Sequence, residues 1–231
     1  MKTRWMTVLA MGLLAGITAA QDTAVLKGPK EKRSYALGMD LGNQLRRQAV
    51  EIDPDLFRQG LNDALSGSKP LLTEDEVRAT ITELQNELMK KQAEAAKMLA
   101  EKNRKEGEAF LAANKAKEGV VTLPSGLQYK ILTAGNGQKP TADDTVVCNY
   151  RGTFIDGTEF ASSYKGNQPA PFAVKGVIKG WTEALQLMPV GSKWQLFVPS
   201  NLAYGESGRG PAIPGNATLI FEVELISIQG K

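Results

Sequence analysis

Between Cys148 and Phe221 the chain spaces large apolar residues at intervals that suit the walls of one small pocket. Tyr150, Phe160, Phe172 and Phe221 come from separate segments. Val177 and Ile178 precede Lys179-Gly180-Trp181, and Tyr204 and Ile213 lie in a glycine- and proline-rich stretch. A concave apolar surface with a few polar groups is the usual form of a small-ligand site. The chain has no histidine, so imidazole chemistry is excluded. What remains is chemistry by binding: apolar contact, exclusion of water, and hydrogen bonds from tyrosine hydroxyls and backbone amides. No metal and no organic cofactor are called for.

Such side chains need rigid elements behind them. Residues 127–132, 145–154, 193–198 and 218–228 are rich in aromatic and branched residues and read as strands. In the last, Leu219, Phe221, Val223 and Leu225 share one face. Cys148, the only cysteine, alternates with Val146 and Tyr150, which predicts a buried, inert thiol and no intrachain disulfide. Residues 181–188 suit one short helix lying on the sheet. Strands with a single covering helix indicate an α+β domain over 119–231.

Five motifs in that span, in order and at matching spacing, resemble the FKBP-type peptidyl-prolyl isomerase domain. They are Tyr150-Arg151-Gly152-Thr153, Asp156-Gly157-Thr158-Glu159-Phe160, Val177-Ile178-Lys179-Gly180-Trp181, Leu202-Ala203-Tyr204-Gly205 and the run 217–225. With the helical region before it, the whole chain is similar to the bacterial macrophage infectivity potentiator type. The resemblance implies an antiparallel half-barrel wrapped on a short helix, and a site for X–Pro segments of folding proteins. It implies Trp181 as the pocket floor and Tyr150, Phe160, Phe172, Val177, Ile178 and Phe221 as walls. The Ile178 N–H and the Tyr204 hydroxyl would hold substrate carbonyls, and Ile213 would close the rim. Catalytic roles fall to Tyr150, Phe160, Trp181, Tyr204 and Phe221, and substrate binding to Phe172, Val177, Ile178 and Ile213.

Two positions depart from the family pattern. Ala161 stands where the family usually has an aspartate, which puts affinity for macrolides such as FK506 and rapamycin in doubt. Arg209, in the loop after Tyr204, is placed to retune which residue is preferred before proline.

Upstream, Lys2 and Arg4, an apolar run over 5–17 and the small residues Thr18-Ala19-Ala20 read as a cleavable signal peptide over 1–20. This predicts a periplasmic protein with no stable membrane anchor in its mature form, outer-surface association being left open. Removing that segment leaves 26 basic residues against 25 acidic ones, so no global attraction for nucleic acid remains. Residues 21–32 lack apolar periodicity and are expected to be mobile. A helix is predicted from Ser34, and a second opens at Pro54 after the Asp53 cap and stops at Gly67.

Thr73 then opens a long helix to about Lys117, ~65 Å at 1.5 Å per residue. Its first half carries an apolar stripe at Val77, Ile81, Leu84 and Leu88. Its second half, from Glu101, reads as a solvated stalk. In the dimerisation region, 21–72, the short helices carry apolar faces, among them Leu41, Leu45, Phe57 and Leu61, that one chain cannot cover, which predicts a homodimer joined through residues 34–88. A fragment of residues 119–231 is expected to fold alone and act on short peptides. The leading function is thus a dimeric peptidyl-prolyl cis-trans isomerase, and the alternative a non-catalytic holdase chaperone that grips unfolded chains.

Overall fold

The computed structural model describes residues 26–166 and 168–230, and the expected signal peptide lies outside them. The described chain forms two compact units, divided after Thr73.

The first unit holds α1 (Pro29–Arg47) and α2 (Pro54–Ser66). α1 begins five residues before the expected Ser34. Pro29 suits a first helical position, and the Glu31 carboxylate accepts from the Lys27 and Gly28 N–H groups at 2.6 and 3.2 Å. Residues 29–32 are therefore helix and not part of an unstructured lead. α2 follows its sequence signals: Asp53 Oδ1 accepts from the N–H groups of Asp55 and Leu56, and Gly67 ends the helix at φ 65°. Neither helix buries a residue. Tyr35, Leu41, Phe57 and Leu61 are all at least 40% exposed.

The second unit starts with α3 (Glu74–Asn114), followed by a seven-stranded sheet. Its strands are β1 (Val120–Thr122), β2 (Gln128–Thr133), β3 (Thr145–Phe154), β4 (Glu159–Ser162), β5 (Ala170–Ala173), β6 (Lys193–Val198) and β7 (Leu219–Ile228). Every pairing is antiparallel, in the order β1-β2-β6-β7-β3-β4, with β5 also on β3. The last strand in sequence, β7, thus lies in the middle of the sheet. A short helix, α4 (Lys179–Leu185), covers its inner face and buries Trp181, Ala184 and Leu185 in the core with Leu196, Val198, Leu219, Val223 and Leu225. The α+β half-barrel read from the sequence is the observed fold.

The second half of α3 keeps Glu101, Lys102, Arg104, Lys105 and Glu106 exposed, as expected of a solvated stretch, but one side of it packs on the sheet. Gly107 sits so close to the sheet that a Cβ there would overlap Thr218 Oγ1. The Phe110 ring lies 6.0 Å from that of Phe197, and buried Asn114 donates to Gln128 Oε1 at 3.0 Å. Gln128 in turn donates to the Leu111 carbonyl at 2.9 Å. Of the charged residues that suggested a stalk, Arg104 bridges Glu101 and Glu108 at 2.7 and 2.8 Å. Hydrogen bonds from Arg104 are the main cause that holds the Glu101 carboxyl down at about 2. The i,i+4 ion pairs Glu87–Lys91 and Glu101–Lys105 lie on α3 as well, at 2.6 and 3.4 Å.

Candidate active site

The site is built on the middle of the sheet. Tyr150, on β3, is fastened from both sides by Ser163: its N–H donates to Ser163 Oγ at 2.9 Å, and its carbonyl accepts from the Ser163 N–H at 3.0 Å. Two residues on, Gly152 pairs with Phe221 of β7 and Ala161 of β4. A Cβ at Gly152 would come within 2.7 Å of the Phe160 ring and 3.0 Å of Phe221. The missing side chain makes room for those two rings, which meet edge to face at 5.6 Å.

α4 supplies the base. Gly180 lets the helix approach β6, since a Cβ there would reach Val198 Cγ1 at 2.6 Å. Thr182 Oγ1 ties the same turn to the Val174 carbonyl at 2.7 Å. Trp181 is thereby held with only 4% of its surface exposed. Tyr150, Phe172 and Phe221 surround it at 5.6, 5.4 and 5.3 Å between ring centres, each close to perpendicular. Edge-to-face contacts of this kind add to the stabilisation that burial alone supplies. The indole N–H has no hydrogen-bond partner among the described residues.

The rim is a loop that runs from Tyr204 to Ala217. It closes on itself through a bridge between Arg209 and Ile213 and a 2.8 Å bond from the Asn216 N–H to the Gly205 carbonyl. From outside, Asn103 of α3 donates to the Gly215 carbonyl at 2.9 Å. Arg209 donates to the Tyr204 hydroxyl at 3.2 Å, and its guanidinium lies 5.5 Å from that ring's centre. On the opposite side, Ile178 caps α4, and its N–H makes no hydrogen bond to another described residue.

These parts enclose a cavity of about 630 Å³. All nine residues expected from the sequence line it: Tyr150, Phe160, Phe172, Val177, Ile178, Trp181, Tyr204, Ile213 and Phe221. The two departures, Ala161 and Arg209, line it as well, together with Gly176 and Ala212. The last two carry no functional group, and sequence reasoning had nothing by which to single them out. Cys148, two residues from Tyr150, is fully buried and takes no part in the lining. Burial pushes its thiol up to about 12.

An antiparallel half-barrel closed by one helix over a tryptophan-floored cavity defines a class, and comparison with known proteins agrees with it. Residues 136–226 match the model of the FKBP-type peptidyl-prolyl cis-trans isomerase. Residues 30–131 match that of the domain amino-terminal to such isomerases. The chain is 47% identical over 230 residues, 99% of each chain, to the outer membrane protein MIP of Legionella longbeachae. It is 46% identical over the full length of both chains to the peptidyl-prolyl cis-trans isomerase Mip of Coxiella burnetii. The crystal structure of FkpA from Escherichia coli superposes with a TM-score of 0.70 at 36% identity, covering 88% of this chain and 98% of that one.

The chain belongs to the FKBP-type peptidyl-prolyl cis-trans isomerases. It is an enzyme that interconverts X–Pro peptide bonds, and of the two functions the sequence suggested, the isomerase is the supported one.

Proposed function

We propose that the cavity is the catalytic site, with Trp181 under the proline ring and Tyr150, Phe160, Phe172, Val177 and Phe221 around it. The observation that carries this reading is the convergence of nine residues from separate segments on one cavity. Rotation about a peptide bond is opposed by ~18–20 kcal/mol of resonance, which places partial charge on oxygen and nitrogen. Water stabilises that charge separation. An apolar cavity withdraws the water, while the twisted transition state, being less polar, loses less by the transfer. The Tyr204 hydroxyl and the Ile178 N–H hold the flanking carbonyls, and Ile213 closes the rim over the bound segment. No residue need titrate in this scheme.

The enzyme then serves folding clients in the periplasm, reached through the signal peptide. Among the described residues no helix is long and apolar enough to cross a membrane, and the Legionella relative bears the name of an outer membrane protein. It works as a homodimer joined through residues 34–88, a reading supported by apolar faces on α1 and α2 that bury nothing. Macrolides such as FK506 enter the same cavity, with affinity lowered because Ala161 supplies no acceptor. Ala161→Asp should raise that affinity in titration calorimetry.

The decisive experiment measures kcat/KM on a short X–Pro peptide for the intact protein and for Trp181→Phe and Tyr204→Phe. The expected result is activity well above the uncatalysed rate, lowered in both variants. Folded variants with full activity would remove the cavity from the chemistry.

A further inference from the structure

Among the described residues Arg209 is the one charged side chain in the cavity lining, and no carboxylate accompanies it there. Ala161 contributes only a methyl group. Among the described residues Arg209 forms no ion pair, and Glu206, the acid nearest to it in sequence, stands outside the lining and also forms none. The mouth of an otherwise apolar site therefore carries one uncompensated positive charge. That charge is held in place, because the guanidinium both donates to the Tyr204 hydroxyl at 3.2 Å and stacks on its ring.

We infer that Arg209 sets substrate choice, making the enzyme favour clients with an aspartate or glutamate immediately before proline. The inference rests on the isomerase reading of the cavity given above. A tyrosine hydroxyl has one proton to donate and lone pairs that accept. The Arg209 bond uses a lone pair and leaves the proton for a substrate carbonyl. The carbonyl of the rotating amide belongs to the residue before proline. The Tyr204 hydroxyl that would hold that carbonyl is bonded to Arg209 at 3.2 Å, so the residue before proline comes within reach of the guanidinium. A carboxylate there meets a fixed cation, a neutral side chain gains nothing from it, and a lysine is repelled.

Arg209 is exposed, so the effect is that of a surface pair: about a two- to five-fold preference and no more. The test uses the full-length protein and three tetrapeptides, Ala-Xaa-Pro-Phe, with Glu, Gln or Lys as Xaa. The expected order of kcat/KM is Glu above Gln above Lys. The Glu-to-Gln ratio should approach one at about 1 M salt, where screening acts within about 3 Å. Arg209→Gln should abolish the ratio, and Arg209→Lys should retain part of it. Equal turnover of the three peptides, or a ratio that survives Arg209→Gln, would overturn the assignment while leaving the isomerase intact. Absence of turnover on all three would overturn the isomerase reading itself, and this one with it.

Discussion

The two ends of the chain handle apolar surface in opposite ways. Between residues 26 and 106 no side chain is buried, although Tyr35, Phe57, Leu61 and Ile81 are large and apolar. Beyond that point a core from Leu127 to Ile228 is sealed between sheet and α4. α3 crosses from one regime to the other. Its apolar stripe at Val77 and Ile81 stays exposed, while the segment from Gly107 to Asn114, which carries Phe110, is the part that packs. Hydrophobic content alone therefore does not mark where this helix finds its partner. Close approach does: small residues bring the backbone to the sheet, and paired amides satisfy what is buried there.

If the C-terminal part is self-supporting, its largest single loss should come from the pocket floor. Trp181→Ala should lower stability by ~3–5 kcal/mol, read from the urea midpoint, because it empties the centre of four packed rings. The oligomeric state should not change. The converse change is Leu61→Asp, which should cost nothing within one chain because Leu61 is already 50% exposed. It should weaken the dimer by ~2 kcal/mol or more if Leu61 lies at the centre of that interface. Sedimentation reads the outcome, and a wild-type monomer at micromolar concentration would end the contrast drawn above.

Gly107→Leu tests the crossing point. Leucine favours helix by up to ~1 kcal/mol over glycine, yet it must displace Thr218. Overpacking of a close contact costs ~1–3 kcal/mol, so the net change should be destabilising. Equal stability would mean that α3 does not bear on the sheet. By the same contact, a fragment of residues 119–231 loses Phe110 and Asn114, and should be less stable than one that begins before Leu99.

The smallest effect is that of Cys148. Its thiol is held protonated up to about 12 in the folded chain, whereas an unfolded cysteine ionises near 8.5. The unfolded state therefore binds fewer protons above that value, and stability falls as pH rises through the interval. Between pH 8 and 9.5 the loss should be ~1 kcal/mol, absent in Cys148→Ala. A variant with the same pH slope as the parent would show that the thiol is not sheltered.

Legibility in the sequence followed the strength of local signals. β3 and β6 have the bounds expected from their alternating apolar residues, and β2 and β7 differ by about one residue. α2 was readable because Asp53, Pro54 and Gly67 each act through the backbone of their own turn. β1, β4 and β5 were missed. They are three or four residues long, too short for a period to show, and β5 contains Pro171, which belongs to sheet edges. Seven of the nine cavity-lining residues named from the sequence lie within the five motifs, and Phe172 and Ile213 fall between them. The docking of α3 was not readable, since Asn103, Gly107 and Asn114 acquire meaning only against Gly215, Thr218 and Gln128, from 14 to 112 positions away.

The central place of β7 has a consequence for the order of events in the cell. Phe221 and the partners of Tyr150 and Gly152 belong to the last strand made. Neither β3 nor β6 has its inner neighbour until residues 219–228 have emerged. A chain threaded out from its amino end can pair β2 with β1 and β6, and β3 with β4 and β5, but the two groups stay unjoined until β7 arrives. The β3–β7 pairing that completes the sheet is long-range and correspondingly slow. Loss of a few carboxy-terminal residues should be more damaging than loss of as many at the other end.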